Sequence, residues 1–424
     1  MKNVFIWTRA CTRRISDSDK IKKYLIKNNY KIVKDPASAD IIIFVTCAFI
    51  DKLADLMLDT IEEYKQKYNA RFIVAGCLPE IEDERLSEIF NGETLSTKDL
   101  DKIDELFPDN KIKFREVQDT HVISQYDNET TQPKIIKPLL KIIPFIEKAI
   151  LKIRLHIVKS LYGEYSILYQ ELSKKAHLNY QIRIAQGCNG NCSYCAIRRA
   201  IGPIKSKPIS ECIKEMQDGL SKGYNLFIVA ADESGEYGLD IGSNLPALLE
   251  EMTEIKGDYK ITIQSLSPRW LKKYIDKLEN IVKKGKIMEI HIPVQSGCNR
   301  ILKLMNRYFD SDKTLENISR LKNADPQVII NTHIIIGFPT ETKEDFMKTM
   351  EYIKKVDFDI CQIYPYSCKK GTDAEKIEQK ISESEISQRI KKAKKYLIKS
   401  NYKISYISGS TFFIAQKKNI GKKV

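Results

Sequence analysis

The stretch ADIIIFVTCAFIDKLADLMLDTIEEYKQKYNARFIVAGC, residues 39–77, reads as strand, helix, strand. Two short, continuous apolar runs flank an amphipathic segment, DKLADLMLDTIEEYKQKY, and that alternation marks a parallel βαβ crossover. Upstream, VFIWTRAC (4–11) and SDSDKIKKYLIKN (16–28) add another strand and helix of the same kind. The spacing predicts an α/β fold whose N-terminal domain, residues 1–100, is a doubly wound parallel sheet. All three strands run into a cysteine: Cys11, Cys47 and Cys77. Ligands of such sheets bind beyond the carboxyl ends of the strands. Cysteines serving packing would fall within the strands, so three at successive strand ends read as ligands of a metal or a cluster.

Working outward, residues 101–178 read as a polar linker, closing on SQYDNETTQPK, followed by a basic amphipathic stretch from Lys137 to Lys159. A second series occupies 179–375. Strands are expected at YQIRIAQG, NLFIVAAD, KITIQSLS, MEIHIPVQS, VIINTHIIIGFP and FDICQIYPY. Helices are expected at ISECIKEMQDGLSKG, PALLEEMTEI, PRWLKKYIDKLENIVKK and KEDFMKTMEYIKKV. Six such units suit a partial (β/α)6 barrel, open on one side, with its active site at the carboxyl ends of the strands. Residues 376–424 read as a C-terminal helix and a lysine-rich tail.

The 424 residues favour two or three domains, and 42% hydrophobic content supplies a core for each. With 30% charged residues and no apolar run near the ~20 residues of a bilayer span, stable membrane insertion is excluded. The apolar stretch in MKNVFIWTRACTRR is too short for a secretory signal, so a cytoplasmic location is expected. Thiols stay reduced there, and the ten cysteines then point to metal or catalytic use rather than disulfides. The net charge of +14 is concentrated in two segments: residues 131–183 hold +7 and residues 391–424 hold +10, leaving −3 for the rest. That asymmetry suits a polyanion such as RNA, and a genome biased toward lysine gives the same sum.

The first barrel strand leads into GCNGNCSYCAIRRAIGPIKSKP (187–208), where Cys188, Cys192 and Cys195 stand in C-x3-C-x2-C spacing. Three thiolates hold three irons of a cubane [4Fe–4S] cluster and leave the fourth iron open to a bidentate small molecule. S-adenosylmethionine chelates such an iron in one superfamily, where an aromatic residue, here Tyr194, usually precedes the last cysteine. A zinc site would need a fourth ligand nearby, and neither Cys212 nor a histidine is spaced for it. Cys212, Cys298, Cys361 and Cys368 have no partner spacing and read as structural.

These motifs resemble the radical SAM superfamily and, within it, the methylthiotransferases, which join a methylthio group to tRNA adenosine beside the anticodon or to a ribosomal-protein aspartate. The resemblance spans most of residues 1–400. It includes DSD (17–19), TCA (46–48), GCLPE (76–80), EYGLD (236–240), HIPVQSGCNRILKLMNRYF (291–309), GFPTET (337–342) and GT (371–372). Ala10 and Val45 depart from the family's glycine and asparagine, while every sulfur ligand is kept. The family's usual C-terminal RNA-binding β-barrel is expected to be largely missing, with YKISYISGSTFFIAQ (402–416) as its first strand or two.

The resemblance implies two [4Fe–4S] clusters and S-adenosylmethionine. A reduced cluster on Cys188, Cys192 and Cys195 would give one electron to the cofactor's sulfonium, releasing methionine and a 5′-deoxyadenosyl radical that breaks an unactivated C–H bond. A second cluster, on Cys11, Cys47 and Cys77, would hold the sulfide that is methylated and joined to the substrate radical. Glu233 and Ser234 would hold the methionine end of the cofactor, and Tyr194, Gln295 and Gly337 would surround its adenosine. Plain turn or packing roles are the alternatives for these five. Arg198 and Arg199 would neutralise substrate phosphate or be solvated, and His291 and His333 read as hydrogen-bonded core histidines.

The implied partners are tRNA and an electron donor such as flavodoxin or ferredoxin. CAIRRAIG and KSKP look closest to the branch acting on threonylcarbamoyl-adenosine. The tail, with Lys403, Lys417, Lys418, Lys422 and Lys423 among tyrosines and phenylalanines, is expected to touch RNA phosphates and bases, against the alternative of a disordered end. Two other functions stay open on the sequence: a radical SAM enzyme modifying a peptide or small molecule, and a non-catalytic basic RNA-binding iron–sulfur protein.

Overall fold

The computed structural model describes residues 1–121, 179–406 and 412–420, and the chain divides into two units. The basic stretch Lys137–Lys159 and the linker beyond residue 121 lie outside the described residues.

The first unit is built on a five-stranded, all-parallel sheet in the order β2-β1-β3-β4-β5. Its strands are β1 (Asn3–Thr8), β2 (Lys31–Ile32), β3 (Ile41–Thr46), β4 (Arg71–Gly76) and β5 (Glu93–Ser96). The run Ile41–Val45 is apolar at every position because helices cover both faces. Ile42 and Phe44 pack with Ala54, Met57 and Ile61 of helix Asp51–Lys67. Ile41, Ile43 and Val45 pack with Ile21, Tyr24 and Leu25 of helix Thr12–Lys27.

This core continues past the expected boundary at residue 100. Ile103, Phe107, Phe114 and Val117 are buried in the same cluster as β3, so at least residues 101–117 of the supposed linker belong to the sheet domain. Residues 196–203 also belong to this unit. Ala196 and Ala200 pack with Cys77, Leu78 and Ile81, and Ser96 Oγ donates to Ala200 O at 3.3 Å.

The second unit holds an eight-stranded sheet in the order β14-β15-β13-β12-β11-β10-β9-β6. Its six parallel strands are β6 (Asn179–Arg183), β9 (Leu226–Ala230), β10 (Lys260–Ile263), β11 (Ile287–His291), β12 (Ile329–Ile336) and β13 (Ile360–Pro365), the expected partial barrel. A two-stranded ribbon, β7 (Ala185–Gln186) with β8 (Lys205–Ser206), clasps the base of the cysteine loop. Helix Ser311–Ala324 was not legible among the expected helices: its apolar residues are sparse, and its start is fixed by Asp310 Oδ1 accepting from Lys313 N at 3.0 Å. No helix among the described residues is long and apolar enough to cross a membrane.

The C-terminal segment differs from expectation. β14 (Tyr402–Tyr406) and β15 (Phe413–Lys417) pair antiparallel, and β15 pairs antiparallel with β13. They extend the barrel sheet rather than begin a separate RNA-binding domain. Lys417 forms an ion pair with Asp357, so it is committed within the unit, whereas Lys403 and Lys418 are exposed and Lys422 and Lys423 lie outside the described residues.

Register fixes which residues face the barrel interior. A Cβ on Gly219, in helix Ile209–Ser221, would meet Tyr180 and Phe227, so these two rings lie on the helix-covered face. Successive strand residues alternate faces. Following the register across the sheet puts Ile261, Ile263, Ile290, Ile330, Cys361 and Ile363 with them. The inner face therefore carries Gln181, Thr262, Glu289, Asn331, His333 and Gln362, together with Ile329 and Ile360.

Candidate active site

In the first unit, Cys47 and Cys77 directly follow β3 and β4, and Cys11 follows β1 as the N-cap residue of helix Thr12–Lys27. These strands are neighbours, so their ends bring the three thiols together. Cys47 donates a hydrogen bond to the Cys11 sulfur, which with Arg13, Arg14 and the Arg14 N–H holds the Cys11 thiol well below its ordinary range against the effect of burial. The same bond, burial, and the charges of Cys11 and Cys77 push Cys47 up. A helix N-terminus favours a thiolate at Cys11. The next two turns keep polar side chains inside: Arg14 pairs with Asp17 at 3.0 Å, both buried, and Thr8 and Ser18 hydroxyls meet at 2.6 Å.

Cys77 depends on a close approach of two strands. Gly76 has φ +106°, and a Cβ there would stand 2.3 Å from Thr46 O. Thr46 Oγ1 donates to Ala75 O at 2.7 Å and accepts from Leu78 N at 3.3 Å, locking the turn that presents Cys77. Gly76→Ala is expected to destabilise the first unit by about 2–4 kcal/mol, from positive-φ strain and overpacking together. Denaturant unfolding at matched pH measures it, and a loss under 1 kcal/mol would contradict the close approach.

In the second unit, the β7–β8 clasp closes a loop held at several points. Gly187 N donates to Asp232 Oδ2 (2.9 Å), Asn189 N to Glu236 Oε2 (2.6 Å), and Ser193 Oγ to Leu304 O (2.7 Å). Two of its sulfurs have N–H donors beside them: Gly190 N lies 3.2 Å from Cys188 Sγ and Arg307 Nη1 3.6 Å from Cys192 Sγ. Cys188 is raised by burial and by the carboxylates of Glu236 and Glu233. Cys195 is exposed at the loop's edge.

Among the described residues, no group of three or more His, Cys, Asp or Glu side chains converges on a single metal ion. Three thiolates on a cubane bind three different irons, so they need to border a common space rather than one point. The loop trio fits that demand: three thiols on one loop, with N–H donors aimed at two sulfurs of the kind that tune thiolate-bound clusters. Arg307 was not singled out from the sequence, where it stands unremarked within HIPVQSGCNRILKLMNRYF. Its guanidinium also reaches Pro293 O (2.5 Å) and the Tyr194 hydroxyl (3.4 Å).

The other sequence candidates sit as follows. Tyr194 is partly buried and packs against the apolar cluster that holds Ile301, Met305 and Phe338, with its hydroxyl near Arg307. Glu233 Oε1 accepts from Gly235 N (3.1 Å) and Ser267 N (3.0 Å), and Ser234 donates to Gln264 O, tying the end of β9 to the end of β10. Burial raises Glu233, and the Ser267 and Gly235 donors and Arg307 oppose it. Gln295 (φ +70°) and Gly337 (φ +86°) are turns at the carboxyl ends of β11 and β12. Gln295 continues the pairing with β12 through its N–H to His333 O (2.8 Å). His291 is buried and its Nδ1 accepts from Ser265 N at 3.3 Å, the hydrogen-bonded core histidine expected, while His333 is half-buried; both face the barrel interior with ring centroids 4.1 Å apart.

A parallel partial barrel whose first strand opens into this cysteine loop defines a radical SAM protein, and residues 182–353 match the model described as the Radical SAM superfamily. Residues 3–96 match the model described as Uncharacterized protein family UPF0004. A probable threonylcarbamoyladenosine tRNA methylthiotransferase of Archaeoglobus fulgidus is 31% identical, over 88% of this chain and 78% of its own length. A protein of the same description from Methanocaldococcus jannaschii is 28% identical over 99% and 86%. A tRNA-2-methylthio-N(6)-dimethylallyladenosine synthase of Clostridium tetani is 30% identical over 93% and 81%. The chain belongs to the radical SAM methylthiotransferase family and is an enzyme transferring a sulfur-containing group. Its family chemistry uses S-adenosylmethionine and a [4Fe–4S] cluster. Among solved structures, the radical SAM methyltransferase TsrM from Kitasatospora setae superposes with a TM-score of 0.59 at 9% identity, over 88% of this chain and 77% of that one, a likeness of fold alone.

Proposed function

We propose that this enzyme inserts a methylthio group at an unactivated C–H bond of a modified adenosine in tRNA, with threonylcarbamoyl-adenosine as the first candidate. The observation that carries the reading is the pair of separate thiol trios, each at strand carboxyl ends of its own unit, in a chain whose relatives act on tRNA adenosine by name. Cys188, Cys192 and Cys195 would hold the cluster that binds S-adenosylmethionine, and Cys11, Cys47 and Cys77 a second [4Fe–4S] cluster. Bound there, the groups supply a 5′-deoxyadenosyl radical from one site and a transferable sulfur from the other.

The chain's own residues prepare those sites. The β7–β8 clasp and the Glu236 and Asp232 acceptors hold the loop backbone, and Arg307 and Gly190 N direct N–H groups at sulfur. The Cys47-to-Cys11 hydrogen bond favours a thiolate at Cys11 in the other trio. An external one-electron donor such as flavodoxin or ferredoxin is part of this reading, as is a cytoplasmic setting.

Relatives of the dimethylallyladenosine description align at similar identity, which favours that base as the second reading. Mass spectrometry of tRNA nucleosides from a deletion strain and its complement separates them. Loss of the methylthio form of threonylcarbamoyladenosine is expected. Loss of the dimethylallyl form instead selects the second reading, and an unchanged nucleoside profile overturns tRNA as the substrate.

A further inference from the structure

The interior of a parallel barrel is ordinarily filled by branched apolar side chains. Here the inner face of β11, β12 and β13 is mixed: Ile329 and Ile360 join Ile414 and Ile420 in an apolar cluster against which Phe412 packs, and beside that cluster stands a set of polar and aromatic side chains. In one layer, Asn331 Nδ2 donates to Glu289 Oε1 at 2.9 Å, and Gln362 Nε2 lies 3.5 Å from Asn331 Oδ1. One step closer to the carboxyl ends, four rings form a row, three of them on β11, β12 and β13 and the fourth just before β15. Centroids are 4.1 Å apart for His291–His333, 5.1 Å for His333–Tyr364 and 4.5 Å for Tyr364–Phe412, the last pair inclined by 30°. The Tyr364 hydroxyl donates to Gln362 Oε1 at 2.8 Å and joins the two layers.

Phe412 comes from the C-terminal hairpin. It immediately precedes β15, and because β15 runs antiparallel to β13, its start lies at the carboxyl end of β13, where the reaction face of a barrel is. Buried polar groups cost more to keep than an apolar packing of the same volume. Polar and aromatic groups at the active-site end suit a ligand that is both flat and rich in donors and acceptors.

We propose that this set of side chains is the nucleobase subsite. The rings of His333 and Phe412, which are only partly buried, take the face of a purine, and the amides of Asn331 and Gln362 read its edge. The assignment rests on the tRNA-adenosine reading and names the residues that would carry it. Unpaired bases are recognised by stacking on aromatic rings together with hydrogen bonds to their edges, and asparagine and glutamine match the donor–acceptor pair of adenine. An apolar peptide side chain would have no use for the amide and carboxyl layer.

The test uses 2-aminopurine ribonucleoside, free and within an anticodon stem-loop RNA, titrated into the reconstituted full-length enzyme with S-adenosylmethionine saturating. Stacking quenches its fluorescence. Wild type and Phe412→Tyr are expected to quench it, and Phe412→Ala and His333→Ala to bind roughly fivefold to a hundredfold more weakly. Iron content and the thermal midpoint of each variant report on folding, and His333→Ala, which leaves the β13–β15 pairing untouched, carries the comparison if Phe412→Ala does not fold. Equal affinity across wild type and both alanine variants, or no quenching by wild type, overturns the subsite. Nucleoside mass spectrometry judges the tRNA reading separately: a methylthio product alongside equal quenching by all forms leaves that reading standing and the subsite refuted.

Discussion

Replacing Cys192 with alanine is expected to abolish 5′-deoxyadenosine formation and to lower iron uptake from about eight to about four per chain after anaerobic reconstitution. Loss of one of three thiolates leaves a cubane with two protein ligands, and the Arg307 guanidinium, 3.6 Å from that sulfur, then loses one of its anionic neighbours and keeps the Glu233 carboxylate. Cys47→Ala is expected to lower iron by the same amount, to retain part of the 5′-deoxyadenosine formation, and to lose the methylthio product. The two variants thus separate oxidant from sulfur source, with iron analysis as a readout independent of turnover. Intact thiolation by Cys47→Ala would refute a sulfur-donor role for the first unit, and full iron loading of Cys192→Ala would refute the loop cluster.

The second large effect is one of stability. Glu341, buried in the turn after β12, accepts from Gly337 N at 2.9 Å and from Arg389 Nη1 at 2.6 Å, and Arg389 also reaches Glu341 O at 2.8 Å and Glu385 at 2.6 Å. Arg389 lies on helix Glu383–Lys399, whose Ile386 abuts Gly337 so closely that a Cβ there would be 2.4 Å away. Arg389→Met strands a buried carboxylate and is expected to cost about 3–5 kcal/mol. Burial already raises the Glu341 carboxyl, with Arg389 opposing that rise. Removing Arg389 raises it further, so the deficit against wild type should grow as pH rises above the ordinary carboxylate range and shrink below it, where Glu341 is protonated in both folded and unfolded chains. Glu341→Gln combined with Arg389→Met should recover part of the loss. A deficit independent of pH would contradict the pairing.

Much of this was legible in the sequence because it rests on local pattern. Cys11, Cys47 and Cys77 follow apolar runs whose length and continuity identify buried parallel strands, and Cys188, Cys192 and Cys195 identify themselves by spacing. What escaped depends on contacts distant in sequence. Phe107 and Phe114 sit in a polar stretch, and only docking against Tyr24, with ring centroids 6.4 and 5.6 Å away, makes them core. The strand character of residues 402–416 was readable, but its partner was not, since pairing with β13 bridges a whole helix. One signal was available and unused: polar residues recur with period two at 289 and 291, 331 and 333, and 362 and 364, inside runs that a fully covered parallel strand would keep apolar.

Residues 196–203 give the first unit a sequence-discontinuous core, since Ala196 and Ala200 complete the packing around Leu78 and Ile81 from more than a hundred positions downstream. During synthesis, the N-terminal sheet therefore leaves the ribosome with an apolar slot that stays unfilled until the cysteine loop has followed it. An N-terminal fragment ending before residue 196 would carry that slot exposed and tend to associate. For the same reason, grafting this unit onto another barrel requires moving Ala196–Pro203 with it, which binds the inheritance of the two cysteine trios together more tightly than their separate places in the chain suggest.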